Sequence, residues 1–350
     1  MLTGPRTAVR NTDPGYFALV MATCIVSRAM QLDGAHRLSG ILLAVGIAAY
    51  VLLAVTYAWR FAAYRADVRA DAADPRRAFG FFTLAAGSDV LAARLAGDGH
   101  TAVATVLLVI GGTGWVLLSY GLPLLIAGPG RPAALAGANG SWFLWPVATQ
   151  SVAVGLTSWP APLPAWAAAL AVACWAVGVI LYLLVAGLVT VALATVPADP
   201  AGLTPAYWVF MGASAISVLA GAQVMRLPPT PLVTATHAVV VGLSVMLWAF
   251  GSWLIPFLVI GGIWRHVWHR VPLAYDPALW SIVFPVGMYG VASYELGRVL
   301  HVPWLVTLGR DEAWAALAVW TAVLLAMAVA LPRLLGAASS RAGRGPYAAR

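Results

Sequence analysis

The side chains that could do chemistry in this sequence are few, and they lie inside stretches apolar enough to sit in lipid. Between positions 280 and 298, WSIVFPVGMYGVASYELGR carries a Phe-Pro pair (Phe284, Pro285), two glycines (Gly287, Gly290) and one ionisable group, Glu295. A helix that serves only as an anchor needs none of these. Pro285 removes a backbone donor and crowds the preceding turn, which predicts a kink. The glycines allow close approach to the backbone. The stretch reads as a pore-lining helix, with the rest of the chain as its neighbours and scaffold.

Asp89 lies about ten residues into another apolar run, hence about 15 Å deep at helical rise. An ionisable side chain there costs at least a few kcal/mol unless it meets water or a partner. It is either a carboxyl bonded to a neighbouring helix or a pore-facing proton or substrate site. Arg28, Arg94, Glu295 and Arg298 fall toward one end of their runs. Together they would form a mostly cationic mouth that concentrates anions. Snorkelling or an Arg–Glu pair is the other account; it suits Arg94 and Arg298 better, whereas Arg28 follows a small-residue face and suits a vestibule.

FLWPVA, WVFMGA and IVFPVG superpose Trp145, Phe210 and Phe284, three aromatics that could form a hydrophobic constriction or simply pack. The small or polar residues that follow such openings, among them Thr23, Thr149, Ser214 and Gly287, would line the path. Cys24 and Cys174 fall inside apolar runs and read as small buried hydrophobes. His237 is isolated, and His266 and His269 lie in a basic loop, so no metal or haem site is expected. No nucleophile–base pattern, phosphate-binding glycine loop or acidic metal cluster is evident. No catalysis and no cofactor are expected.

The elements that must position these residues follow from composition. The 350 residues are 62% hydrophobic and 9% charged, with mean hydropathy +0.87. A soluble domain is nearer half apolar and about a quarter charged. Apolar runs fall at roughly 14–31, 38–59, 79–95, 101–126, 142–157, 163–191, 205–223, 232–263, 277–300 and 313–335. The breaks are Asp33-Gly34, Gly97 to Gly99, Gly128 to Gly130, Pro160 to Pro162, Pro228-Pro229 and Arg310-Asp311. An all-α integral membrane domain of about ten transmembrane helices is expected over 14–335, between tails at 1–13 and 336–350. No cleavable signal peptide is expected.

All 20 basic residues are Arg, against 12 acidic ones. With the N-terminus inside, fourteen arginines (6, 10, 60, 65, 69, 76, 77, 131, 265, 270, 333, 341, 344 and 350) fall on the cytoplasmic side. Five (37, 94, 226, 298 and 310) fall opposite. Both tails are therefore expected in the cytoplasm, and the excess charge reads as topology and lipid contact, with no nucleic-acid partner. The odd spans open alike, GYFALVMA, AFGFFTLAAG, SWFLWPVATQ, AYWVFMGASA and LWSIVFPVGM, each aromatic and then small or polar. The even spans are longer and smoother. This predicts five helical hairpin repeats whose first helices surround a central pore.

PGYFALVMATCIVS, GFFTLAAGSDVLAARL, NGSWFLWPVATQSVAV, YWVFMGASAISVLAGA and the block from Trp253 to Leu300 carry a resemblance that samples all five repeats. The sequence resembles the tellurite-resistance/C4-dicarboxylate transporter family, which includes the TehA proteins, fungal malate carriers and slow-type anion channels of plant guard cells. The resemblance implies a plasma (inner) membrane protein, a homotrimer with one pore per subunit, and a Phe in a Phe-Pro context that plugs the pore. Phe284 is the matching residue, with Pro285 as its pivot; Asp89 stands where related sequences often have Asn. The resemblance implies transport of anions, with C4-dicarboxylates such as malate as the substrate class. As desolvated carboxyls, Asp89 or Glu295 could then carry a coupled proton. A passive chloride or nitrate channel and a non-conducting membrane sensor are the alternatives.

Overall fold

The computed structural model describes residues 3–126, 134–159, 163–195 and 199–342, with side chains described from position 6 to 330 apart from 134 and 136. Arg131, Arg344, Arg350 and the loops at 128–130 and 160–162 lie outside the described residues, as do the side chains of Arg333 and Arg341. Every regular element described is helical.

Five shorter helices form the inside: α2 (Ala18–Asp33), α5 (Phe82–Gly97), α7 (Leu144–Thr157), α9 (Val209–Val224) and α11 (Trp280–Leu300). They pack side by side in that order, and α11 returns to α2, so the ring closes. Each packs most heavily, among the outer elements, on the long helix that follows it: α3 (His36–Ala63), α6 (Thr101–Ile126), α8 (Ala165–Thr195), α10 (Pro231–Ile263) and α12 (Pro303–Ala342). Two short helices, α1 (Thr3–Arg10) and α4 (Arg65–Ala73), complete the chain. Five hairpins around an axis is the arrangement the repeats predict. The outer helices keep only 22–33% of their most apolar window buried, against 89% and 78% for the inner segments Ala78–Gly97 and Pro205–Val224. The outer layer therefore offers its side chains to lipid.

Seven of the described helices are long and apolar enough to cross a membrane. Of the other ring members, α2 and α7 have only 16 and 14 residues, and α11 dilutes its hydropathy with Ser, Tyr, Glu and Arg. α12 starts at Pro303, two residues after left-handed His301 (φ 56°), so Arg310-Asp311 is helical and not the expected loop. A proline at the first helical position costs no hydrogen bond, which makes Pro303 the better start signal.

The same device stands ahead of each inner helix, one not anticipated from the sequence; at Asp199 it lies in the loop six residues before the tight turn at Pro205. An Asp or Asn side chain accepts the backbone N–H two residues on: Asp13 from Gly15, Asp74 from Arg76, Asn139 from Ser141, Asp199 from Ala201 and Asp276 from Ala278. Four of the five are Asp-Pro and one is Asn-Gly, turn chemistry with an evident mechanism. The aromatic openings follow as a tight turn before the α-helix begins. At these starts the chains cross closely. A Cβ at Gly80 would stand 2.9 Å from the Gly15 nitrogen, and one at Gly140 would stand 2.4 Å from the Ala206 carbonyl.

The face carrying these starts also holds α1 and α4. Buried Arg60 bonds Asp71 at 2.5 Å and the Arg10 carbonyl at 3.0 Å, Arg77 reaches Asp71 at 2.9 Å, and Arg10 pairs with Asp67. α1 also packs on α12. Several arginines counted for topology therefore clamp the two short helices.

Candidate functional site

The orientation of α11 follows from its close contacts. A Cβ on Gly212 of α9 would stand 2.7 Å from Pro285, so the proline ring fills a notch in α9. Gly287 faces Ile25 and Val26 of α2, whereas Gly290 and Gly297 face Glu312 and Leu305 of α12. With three sides assigned and about 100° per residue, the side left for the ring axis carries Phe284, Met288 and Glu295. Phe284 is 1% exposed. α11 runs unbroken through Pro285, although the proline cannot donate to the Ser281 carbonyl.

Glu295 lies at the ring's end opposite α1. Its carboxylate accepts from Arg28 of α2 at 3.3 Å and from Arg226, just past α9, in a close ion pair. One carboxylate thus joins both ring neighbours of α11. The network continues: Arg28 donates to Gln31 at 2.8 Å, Gln31 to Asp98 at 2.9 Å, and Asp98 pairs at 2.6 Å with Arg94. Buried Arg94 also donates to Ser27 and Ser39, tying α5 to α2 and α3. Burial alone would push the Asp98 carboxyl up, but the hydrogen bond and charge of Arg94, with Gln31, prevail and hold it below the ordinary carboxylate range. A cavity of about 310 Å³ opens here, lined by Arg28, Leu32, Arg226, Tyr294, Glu295 and Arg298. The exposed Arg298 has no ion pair among the described residues, and Arg310 lies 5.9 Å above the Tyr294 ring.

Five residues expected to line the path turn outward, which corrects that expectation. Thr23 accepts from Trp320 of α12, Thr149 from Trp115 of α6, and Ser214 donates to the Leu247 carbonyl of α10. Trp145 donates to Ser119 of α6, and Phe210 stacks on Phe143 beside Tyr182 and Phe250. For Thr23 and Thr149 the physical reason is that an indole N–H on an outer helix needs an acceptor; Trp145 meets the same need in reverse with an outer hydroxyl, Ser214 bonds an outer carbonyl, and Phe210 packs among rings. Gly287 belongs to the α2–α11 contact.

Asp89 is fully buried where α5, α6 and α7 meet, not on the axis. One oxygen accepts from Ser151 of α7 at 2.9 Å, and the other has no hydrogen-bond partner among the described residues and faces Gly111 of α6. The helix–helix account of Asp89 fits this position.

Of the expected charged residues, Arg28 and Glu295 come together. Arg226, Gln31 and Tyr294 were missed. Arg226 follows α9 by two positions, as Arg28 stands near the end of α2 and Arg298 near the end of α11. Aligning repeat ends as well as repeat openings would have exposed it. No group of three or more His, Cys, Asp or Glu that could hold a metal occurs among the described residues.

The sequence is 50% identical over 168 residues, 48% of this chain and 83% of the relative, to an uncharacterized membrane protein of Mycobacterium tuberculosis, found in strains CDC 1551 and H37Rv. An uncharacterized transporter of Methanocaldococcus jannaschii is 21% identical over 327 residues, 91% of this chain and 92% of the relative. The sequence model of the SLAC1 family, described as voltage-dependent anion channel, matches residues 11–328. A closed ring of five inner helices, arginines at one end of it and a match over nearly the whole chain agree: this protein belongs to the SLAC1 family of membrane anion channels and transporters.

Proposed function

We propose that this protein carries anions along the axis of its inner ring, that C4-dicarboxylates such as malate are the substrate class, and that Phe284 obstructs the path until displaced. The observation that carries the reading is the shared face of α11: the side left free by its contacts with α9, α2 and α12 carries both Phe284 and Glu295, and Glu295 holds two guanidiniums. Excess positive charge at the mouth raises local anion concentration. A buried phenyl ring, with no polar group to replace a hydration shell, blocks an ion by dewetting. Residues 1–13 and 336–350 are proposed to face the cytoplasm of the plasma membrane, from the arginine distribution. A homotrimer with one path per protomer, and no catalysis, complete the proposal.

Reconstituted flux tests it. Proteoliposomes carrying wild type or Phe284→Ala are compared for malate, succinate, nitrate and chloride. Phe284→Ala is expected to raise flux several-fold. Equal rates for the two proteins would refute the obstruction. A pH gradient that drives uphill malate uptake marks a carrier; flux set only by the anion gradient marks the passive channel, the second reading that family membership supports.

A further inference from the structure

We propose that the cavity between α2, α11 and the end of α9 is a binding site for a small dicarboxylate, and that Glu295 is its tethered internal competitor. The choice of dicarboxylate over other anions rests on the transport reading; the site itself rests on charge and geometry. Three guanidiniums, Arg28, Arg226 and Arg298, line it against the single carboxylate of Glu295, leaving two positive charges in excess. A dianion matches that excess.

The arginines retain the means to bind a second partner. A guanidinium has five N–H donors. Arg28 spends one nitrogen on Gln31 and one on Glu295, whereas Arg226 reaches Glu295 through a single nitrogen. Their side chains are 36% and 44% exposed, but that of Glu295 is 5% exposed. The carboxylate is therefore already seated as a bound anion would be, with the guanidiniums accessible around it. Arg298 adds a charge bound to no carboxylate among the described residues. The volume, about 310 Å³, lies at the small end of ligand pockets, about 300–1,000 Å³, which suits a short-chain acid.

The site spans three consecutive members of the ring, so an anion bound there replaces Glu295 in joining α2 to the end of α9. Released, Glu295 stays on the same face of α11 as Phe284. Occupancy at the mouth and the obstructing ring are thereby carried by one helix.

Calorimetric titration of the full chain in nanodiscs tests the site without requiring flux. Malate, acetate, chloride and phosphate serve as probes in zwitterionic lipid, with a parallel set containing phosphatidylglycerol. Malate is expected to bind wild type more tightly than acetate or chloride. Glu295→Gln should tighten malate binding about tenfold, the scale of one charge-assisted contact. Arg298→Gln breaks no ion pair, so it should fold normally and weaken malate binding several-fold. If Glu295→Gln and Arg298→Gln both bind malate as wild type does, the site is refuted. Malate binding that phosphatidylglycerol abolishes would also overturn the proposal, in favour of a lipid-headgroup site. Intact malate binding without flux would sink the transport reading alone; flux without specific binding would sink only this site.

Discussion

Phe284 and Glu295 are eleven residues apart on α11, three helical turns and about 16 Å, and both face the side left free by contacts with α9, α2 and α12. One is an apolar ring sealed in the core; the other is a carboxylate held by arginines from both ring neighbours. Any rotation of α11 that moves the ring must also move the carboxylate among its guanidiniums. The two are mechanically one element, braced by Pro285 in the notch at Gly212.

That brace can be tested directly. A methyl group at Gly212 would stand 2.7 Å from Pro285 Cγ and 3.3 Å from its Cα, against a ring with little freedom to yield. Gly212→Ala should lower apparent thermal stability in detergent by about 1–3 kcal/mol, as overpacking does, and should alter flux through Phe284. An unchanged melting curve with unchanged flux would show that Pro285 is not held there.

How much of this was legible in the sequence depended on periodicity and on pairing. The hairpins, the inner helices and the irregular α11 could be read because aromatic-then-small openings recur along the chain. The lining could not be read, because a small polar residue on an inner helix looks the same whether it meets the axis or an outer indole. Thr23, Thr149 and Ser214 read as axis residues for that reason. Their acceptors and donors, Trp320, Trp115 and the Leu247 carbonyl, lie far off in sequence or on helices that seemed merely lipid-facing. Asp13, Asp74, Asn139, Asp199 and Asp276 were legible in principle, but only as a register of repeat starts, which the aromatics masked.

The outward placement of Thr23 predicts a structural, not a selective, phenotype. Thr23→Val and Trp320→Phe each remove one side of a 3.0 Å bond inside the protein, and each should cost about 1 kcal/mol. The double variant should lose little more than either single one, because both act on the same bond. Relative malate, nitrate and chloride fluxes should match wild type in Thr23→Val. A changed anion ranking would return Thr23 to the path.

The Arg94–Asp98 pair sets an acid limit on stability. Asp98 titrates lower in the folded protein than when unfolded, so its contribution is complete above the unfolded carboxylate value, about 4, and disappears as pH falls through the lower folded value. Wild type should therefore lose melting temperature below about pH 4. Arg94→Gln should be less stable near neutrality, by about 1–3 kcal/mol, discounted from a fully buried pair because Asp98 is partly exposed. Its acid-side slope should flatten. Parallel melting profiles for the two proteins would show that the pair does not govern this limit.

Asp89 is best probed through its neighbour. A Cβ at Gly111 would lie 2.1 Å from Asp89 Oδ1 and 2.9 Å from the Ala85 carbonyl, while one at adjacent Gly112 would meet nothing within 4 Å. If the carboxyl is wedged between α5, α6 and α7, Gly111→Ala must separate α5 from α6 or force Asp89 aside, at about 1–3 kcal/mol. Gly112→Ala on the same helix should be neutral or slightly stabilising through its better helix propensity. Adding Asp89→Ala to Gly111→Ala should recover part of the loss, since the clash disappears with the carboxyl. A carboxyl facing the axis would instead leave Gly111→Ala and Gly112→Ala alike in melting temperature, and only Asp89→Ala would then change flux.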